Sequence, residues 1–251
     1  MSLPRTLHAL AAAALVAAAV LGPAGSAGAV GAGVAAGAAS APVLPSVDQL
    51  KSALLTANDV GPGYTEAPVT GSPSPSENPT PVSGCDALNA LITMHATAPG
   101  PATPHAETEL DGPDGNPMVT ESLAAEDSAR LAADFATVTD AFKTCHTITF
   151  NAGIGDSVTF TVTPVALGDR QDAPAVRLDG TLAGVQLSAY LGIERFGTVG
   201  MAYGFFQRQG ADAQTASMQY RTAVAKVERS LGTTAGSTTP PTVTATQGMS
   251  V

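Results

Sequence analysis

The sequence predicts a single α+β domain: a curved antiparallel β-sheet with helices packed on one face. Three observations carry this. Apolar residues recur at helical spacing in three stretches, strict alternation marks at least five others, and the connections between the alternating stretches are too short for parallel crossovers.

The first helical stretch opens at Ser46, a residue type suited to the N-cap, and places Val47, Leu50, Leu54 and Ala57 on one face before Gly61-Pro62-Gly63. A second is expected from about Ala125 to Thr144, with Leu131, Phe135, Val138 and Phe142 as one apolar stripe. Cys145 continues that stripe, so its sulfur is expected to point into the core. The third runs from about Asp212 to Ser230, burying Ala213, Ala216, Tyr220, Val224, Val227 and Leu231. Alternation marks strands over His146–Asn151, Ser157–Pro164, Ala173–Thr181, Val185–Arg195 and Thr198–Gln207. Gly153–Asp156, Asp179-Gly180 and Phe196-Gly197 read as turns. Glu107–Leu110 and Met118–Leu123 flank the hairpin sequence DGPDGN.

Composition divides the chain further. Residues 1–29 read as a secretory signal peptide: Arg5 supplies the positive start, Ala9–Leu21 the apolar run, and Ala27-Gly28-Ala29 the small-residue cleavage site. Ala39-Ser40-Ala41 is a second cleavage site on the same rule, and an uncleaved anchor is the competing reading. Residues 30–45 are a flexible linker of Ala, Gly, Ser and Pro. The folded domain is expected over residues 46–231. Glu66–Gly84 is a Pro- and Ser-rich loop, and residues 232–251 form an uncharged Thr/Pro/Gly-rich tail expected to be disordered.

The chain has 11 Lys and Arg against 21 Asp and Glu, a formal net charge of −10, which disfavours binding to nucleic acid or anionic lipid surfaces. After the signal no apolar run has membrane length. The expected location is therefore extracellular or associated with the cell envelope. In that oxidising setting the two cysteines, Cys85 and Cys145, are expected to form a disulfide.

Catalytic motifs are missing from the mature sequence. A G-x-S-x-G look-alike near Ser26 lies inside the signal, and there is no H-E-x-x-H, Walker loop or C-x-x-C pair. His95 and His105 flank a loop followed by Glu107, Glu109, Asp111 and Asp114, but their spacing fits neither zinc nor calcium, so no metal or cofactor is expected. His146 reads as a strand residue beside the disulfide. Acids crowd Glu107–Asp140, whereas Arg195, Arg208, Arg221, Lys226 and Arg229 come late; the two groups are expected to face each other or solvent. Tyr190, Arg195 and Tyr203 fall on neighbouring strands and are the candidate ligand-binding residues.

The order of these features resembles one family. LKSALLTANDVGPGYTEAP is similar to the opening of the extracellular sensor domains named after the actinobacterial Ser/Thr kinase PknH, with their L-L-x-x-x-D-x-x-x-G-Y signature at Leu54, Leu55, Asp59, Gly63 and Tyr64. A helix ending F-K-T-C at Cys145, then G-D-x-x-x-A-x-A-x-R at Gly168, Asp169, Ala173, Ala175 and Arg177, continues the similarity over roughly Val47 to Leu231. The resemblance implies a central antiparallel sheet with a cleft, and a non-enzymatic sensing or ligand-binding role toward a small molecule or cell-envelope component. The chain departs from the family in having one disulfide where the kinase's domain has two, and in lacking a kinase domain and a lipid-attachment cysteine. The alternatives are a small extracellular hydrolase with an unrecognised site, or an envelope protein that engages partners through its tail.

Overall fold

The computed structural model describes residues 43–68, 82–90, 104–151 and 157–241. The expected signal peptide, most of the linker, His95, the Gly153–Asp156 turn, much of the Pro-rich loop and the last part of the tail lie outside the described residues.

Nine strands form one sheet: β1 (Thr65–Ala67), β2 (Val82–Ser83), β3 (His105–Asp111), β4 (Met118–Ala125), β5 (Thr147–Asn151), β6 (Ser157–Pro164), β7 (Ala175–Leu182), β8 (Val185–Phe196) and β9 (Val199–Arg208). The order across the sheet is β1-β3-β4-β9-β8-β7-β6-β5-β2, and every pairing is antiparallel. Two-residue turns set the central registers. Ala183 and Gly184 both have positive φ and join β7 to β8, while Gly197, at φ 68°, opens the turn from β8 to β9. Asp179-Gly180 is not a turn but lies inside β7. A Cβ on Gly180 would stand 2.7 Å from the Thr159 carbonyl oxygen and 2.8 Å from the Phe160 ring, so glycine here permits close packing within the sheet.

Among the described residues, helices α1 (Val47–Ala53), α2 (Ala57–Val60), α3 (Ser128–Thr144) and α4 (Ala213–Leu231) pack against the sheet. Residues 86–90 are also helical. The single N-terminal helix expected from Ser46 is broken in two. Ser46 and Gln49 form one capping box, and Thr56 and Asp59 form a second only ten residues on, with the Thr56 N–H and hydroxyl donating to Asp59 Oδ2 at 2.8 and 2.7 Å. Leu50, Leu54 and Leu55 are buried as a result, but Val47 is 40 % exposed. Helix α3 begins at Ser128, because Asp127 caps the N–H groups of Ala129 and Arg130, and Ala125 ends β4. Ala213 is exposed at the start of α4, and Gln219 takes a place on its buried face.

The α+β class and the antiparallel sheet with helices packed against it agree with expectation. One feature of the expected packing is corrected: the helices occupy both faces of the sheet. Residue parity along β8 and β9 makes this plain. Tyr190, Phe196, Val199, Met201, Tyr203 and Phe205 pack in one layer with α1, α2 and α4. Ala189, Ile193, Ala202 and Phe206 point the other way and pack with Val138, Ala141 and Phe142 of α3 and with Leu88. Alternation along a strand cannot reveal this when both faces are buried, and β4 is buried at all eight positions.

The residues that carried the family resemblance knit the first layer together. Leu55 donates its N–H to Glu121 of β4, Asp59 pairs with Lys226 of α4 at 2.6 Å, and the Tyr64 hydroxyl accepts from Gln219 Nε2 at 3.0 Å. Gly168 lies against one edge of the Tyr220 ring and Gly192 against the other; a Cβ on either would come within 2.7 Å. Arg177 pairs with Asp179 at 2.8 Å and stands 5.9 Å from the Tyr190 ring centroid.

The expected disorder of the tail needs a correction over its first ten residues. Gly232 adopts the left-handed conformation that ends α4, and the chain then returns to the β8–β9 turn. Gly236 N–H donates to the Arg195 carbonyl at 2.7 Å, Gly197 N–H donates to the Ser237 carbonyl at 2.8 Å, and Ala235 N–H donates to Glu228 Oε1 at 2.9 Å. Backbone hydrogen bonds hold this segment where its side chains offer little apolar area.

Candidate ligand site

A cleft lies in the second layer, between the sheet and its helical cover. Its roof is Leu88, Val138 and Phe142. Its walls and floor are Ile148 and Phe150 of β5, Val176 and Leu178 of β7, Leu191 and Ile193 of β8, and Thr120, Ala202 and Gly204 of β4 and β9. The enclosed volume is about 30 Å³, room for one or two water molecules, and the space widens into solvent at the mouth.

The disulfide fastens the roof. Cys85 and Cys145 are bonded with an S–S distance of 2.06 Å and a Cα–Cα distance of 5.6 Å. Leu88 is three residues beyond the first half-cystine and Phe142 three before the second, so one covalent link sets the two roof segments against each other. This bond is the one expected from the sequence.

The floor is built from small residues. Ala202 and Gly204 alternate on β9 and line the cleft. A Cβ on Gly204 would stand 2.6 Å from Thr120 Oγ1 and 2.6 Å from the Phe206 ring. Glycine at this position lets Thr120 Oγ1 and the Phe206 ring pack directly against the strand. Thr120 is wholly buried, and among the described residues its hydroxyl has no hydrogen-bond partner. Ser122, two residues along the same face of β4, is in the same condition.

Acidic groups lie buried on either side of this floor. Glu121 faces the first layer, where burial pushes its carboxyl up to about 8. Glu126 follows the end of β4, beside Arg130 at 3.5 Å; burial, and then the nearby Asp134, raise it to about 8 as well. No group of three or more His, Cys, Asp or Glu side chains that could hold a metal is found among the described residues.

The structure does not bring Tyr190, Arg195 and Tyr203 together as a ligand surface. Tyr190 and Tyr203 are buried in the first layer, the latter donating its hydroxyl to the Ala216 carbonyl at 3.2 Å. Arg195 lies on the opposite face and donates to the carbonyls of Gly197 and Ser128, both at 3.0 Å. Neighbouring strands do carry the three residues, but strand parity puts Arg195 on the other side of the sheet. His105 and His146 are exposed, at the start of β3 and just before β5. Of the late basic residues, Arg208 meets the β3–β4 turn through the carbonyls of Asp114 and Gly115, and Arg221 pairs with Asp169 at 2.9 Å.

Of the residues that line the cleft, Tyr203 alone is among the candidates read from the sequence, and its side chain belongs to the first layer. One signal was available: Ala202 and Gly204 interrupt an otherwise bulky strand at alternating positions, which marks a place where neighbouring groups approach the strand closely.

No family model matches the sequence, and no curated protein matches it. Among solved structures, the chain is similar to the extracellular domain of PknH from Mycobacterium tuberculosis, with a TM-score of 0.56 and 14% identity over 74% of this chain and 98% of that one. The resemblance read from the order of sequence features is thus met in three dimensions, and what the chain shares with that extracellular domain is the fold.

Proposed function

We propose that this chain is a secreted, extracellular domain of the sensor type that binds a ligand and performs no catalysis of its own. The observation that carries the reading is the cleft: a narrow opening between a disulfide-fastened roof and the sheet, lined almost entirely by apolar side chains. The fold similarity to an extracellular domain supports the location, as does the disulfide, which suits an oxidising compartment. No helix among the described residues is long and apolar enough to cross a membrane. The ligand is a small molecule or a component of the cell envelope; the acidic balance of the chain argues against nucleic acid.

Thermal-shift screening of the exported protein against cell-wall fragments, lipids and small metabolites tests the reading. A ligand that binds only the native state raises the melting temperature by mass action. Stabilisation by at least one class, lost when the cleft is filled by Ala202→Leu, is the expected result. Uniform silence across the classes counts against it.

A further inference from the structure

We infer that the cleft receives the hydrocarbon part of its ligand and that one oxygen of that ligand, an uncharged hydroxyl or carbonyl, hydrogen-bonds to Thr120. This rests on the ligand-binding reading and specifies its chemistry.

The lining selects the class. Leucine, isoleucine, valine and phenylalanine side chains meet the space from the roof and from β5, β7 and β8, and no charged side chain lines it. A sugar or peptide placed there would leave most of its polar groups without partners, a cost that an alkyl chain or hydrocarbon ring does not incur. A carboxylate or phosphate would meet no cation. Arg195, the basic residue on this face of β8, is committed to the carbonyls of Gly197 and Ser128.

Thr120 supplies the exception. Its hydroxyl lines the floor, is wholly buried, and has no partner among the described residues. Buried hydroxyls are ordinarily hydrogen-bonded, because water has been given up and something must replace it. Gly204 bears on the same point, since any side chain there would press against Thr120 Oγ1. A hydroxyl both donates and accepts, so it can serve either an alcohol or a carbonyl oxygen. The apolar walls hold the ligand, and Thr120 fixes which way round it lies.

The test uses the mature, oxidised protein and two probes of one size, 1-hexanol and n-hexane, each titrated by displacement of the fluorescent dye N-phenyl-1-naphthylamine. Both probes should displace the dye, whereas glucose and inorganic phosphate should not. Thr120→Val keeps the shape and removes the hydroxyl. It should weaken 1-hexanol about 5-fold and leave n-hexane unchanged or slightly tighter. Equal effects of Thr120→Val on the two probes would overturn the role of Thr120. If neither probe binds while a polar compound from the broader screen stabilises the protein, the hydrocarbon assignment falls and the binding reading survives. If no compound of any class binds, both fall. Thr120→Val replaces an unpaired buried hydroxyl by a methyl of similar volume and should fold, so the comparison holds even where Ala202→Leu proves too large for the core.

Discussion

The carboxyl group of Glu121 accepts the backbone N–H of Leu55 at 2.6 Å, joining the centre of the sheet to the break between the first two helices. Glu121 is wholly buried, and burial raises its pKa from 4.5 to about 8. The sign of the consequence is fixed by linkage. Below pH 4.5 the carboxyl is protonated in both states and costs nothing. Between 4.5 and 8 the unfolded chain releases the proton while the folded chain keeps it, so stability falls as pH rises, by about 1.4 kcal/mol per pH unit for one such group. Glu126, also raised to about 8, adds to the same window. Glu121→Gln should match the native chain near pH 4.5 and exceed it in stability at pH 8. Urea denaturation across that range measures the difference, and parallel curves would rule the assignment out.

Asp59 holds two connections at once. It accepts from Thr56 to start α2 and from Lys226 at 2.6 Å to dock that helix on α4. Asp59→Ala should destabilise the domain by about 1–2 kcal/mol, the range of a lost cap joined to a partly shielded ion pair. Lys226→Met should cost less, because the cap survives. A larger loss for Lys226→Met than for Asp59→Ala in urea midpoints would make the ion pair, not the cap, the stronger of the two connections.

Tyr220 is gripped between Gly168 and Gly192 and donates its hydroxyl to the Ile193 carbonyl at 3.3 Å. Gly192→Ala introduces a methyl 2.7 Å from the ring, and Gly168 blocks escape on the other side. Overpacking of this kind costs about 1–3 kcal/mol. The thermal midpoint should drop accordingly, and an unchanged midpoint would mean that the ring has room to move.

Reduction of the Cys85–Cys145 bond frees a loop spanning a sequence separation of 60 residues. In the chain-entropy model the bond contributes about 4 kcal/mol. Denaturation with and without reductant should differ by that order. The dye affinity of the still-folded reduced protein should also fall, since Leu88 and Phe142 would no longer be fixed relative to each other; unaltered affinity would show that packing alone holds the roof.

Much of this architecture could be read from residue order. SVTFTVTP alternates strictly and forms β6 over the expected residues, because one face of β6 meets the core and the other meets water. Helices α3 and α4 appear where their stripes predict them, shifted by the caps at Asp127 and Asp212. The same logic fails wherever both faces are covered. Within MVTESLAA, nothing in the order of residues distinguishes Glu121, buried against Leu55, from an ordinary exposed acid. Thr120 is similar: its unpaired hydroxyl matters only because Gly204 lies beside it on a strand some eighty positions later. Tyr190, Arg195 and Tyr203 were drawn together by proximity of strands, which parity then separates.

The two layers also settle how the domain can be held. Leu44, near the start of the described chain, and Ala235, near its end, both pack into the layer built on α1, α2 and α4. The cleft opens in the layer across the sheet. A support grafted near either residue would sit on the layer across the sheet from the cleft. Immobilisation through residues at 44 or 235 should therefore preserve ligand capture, where coupling through the roof near Leu88 would obstruct it.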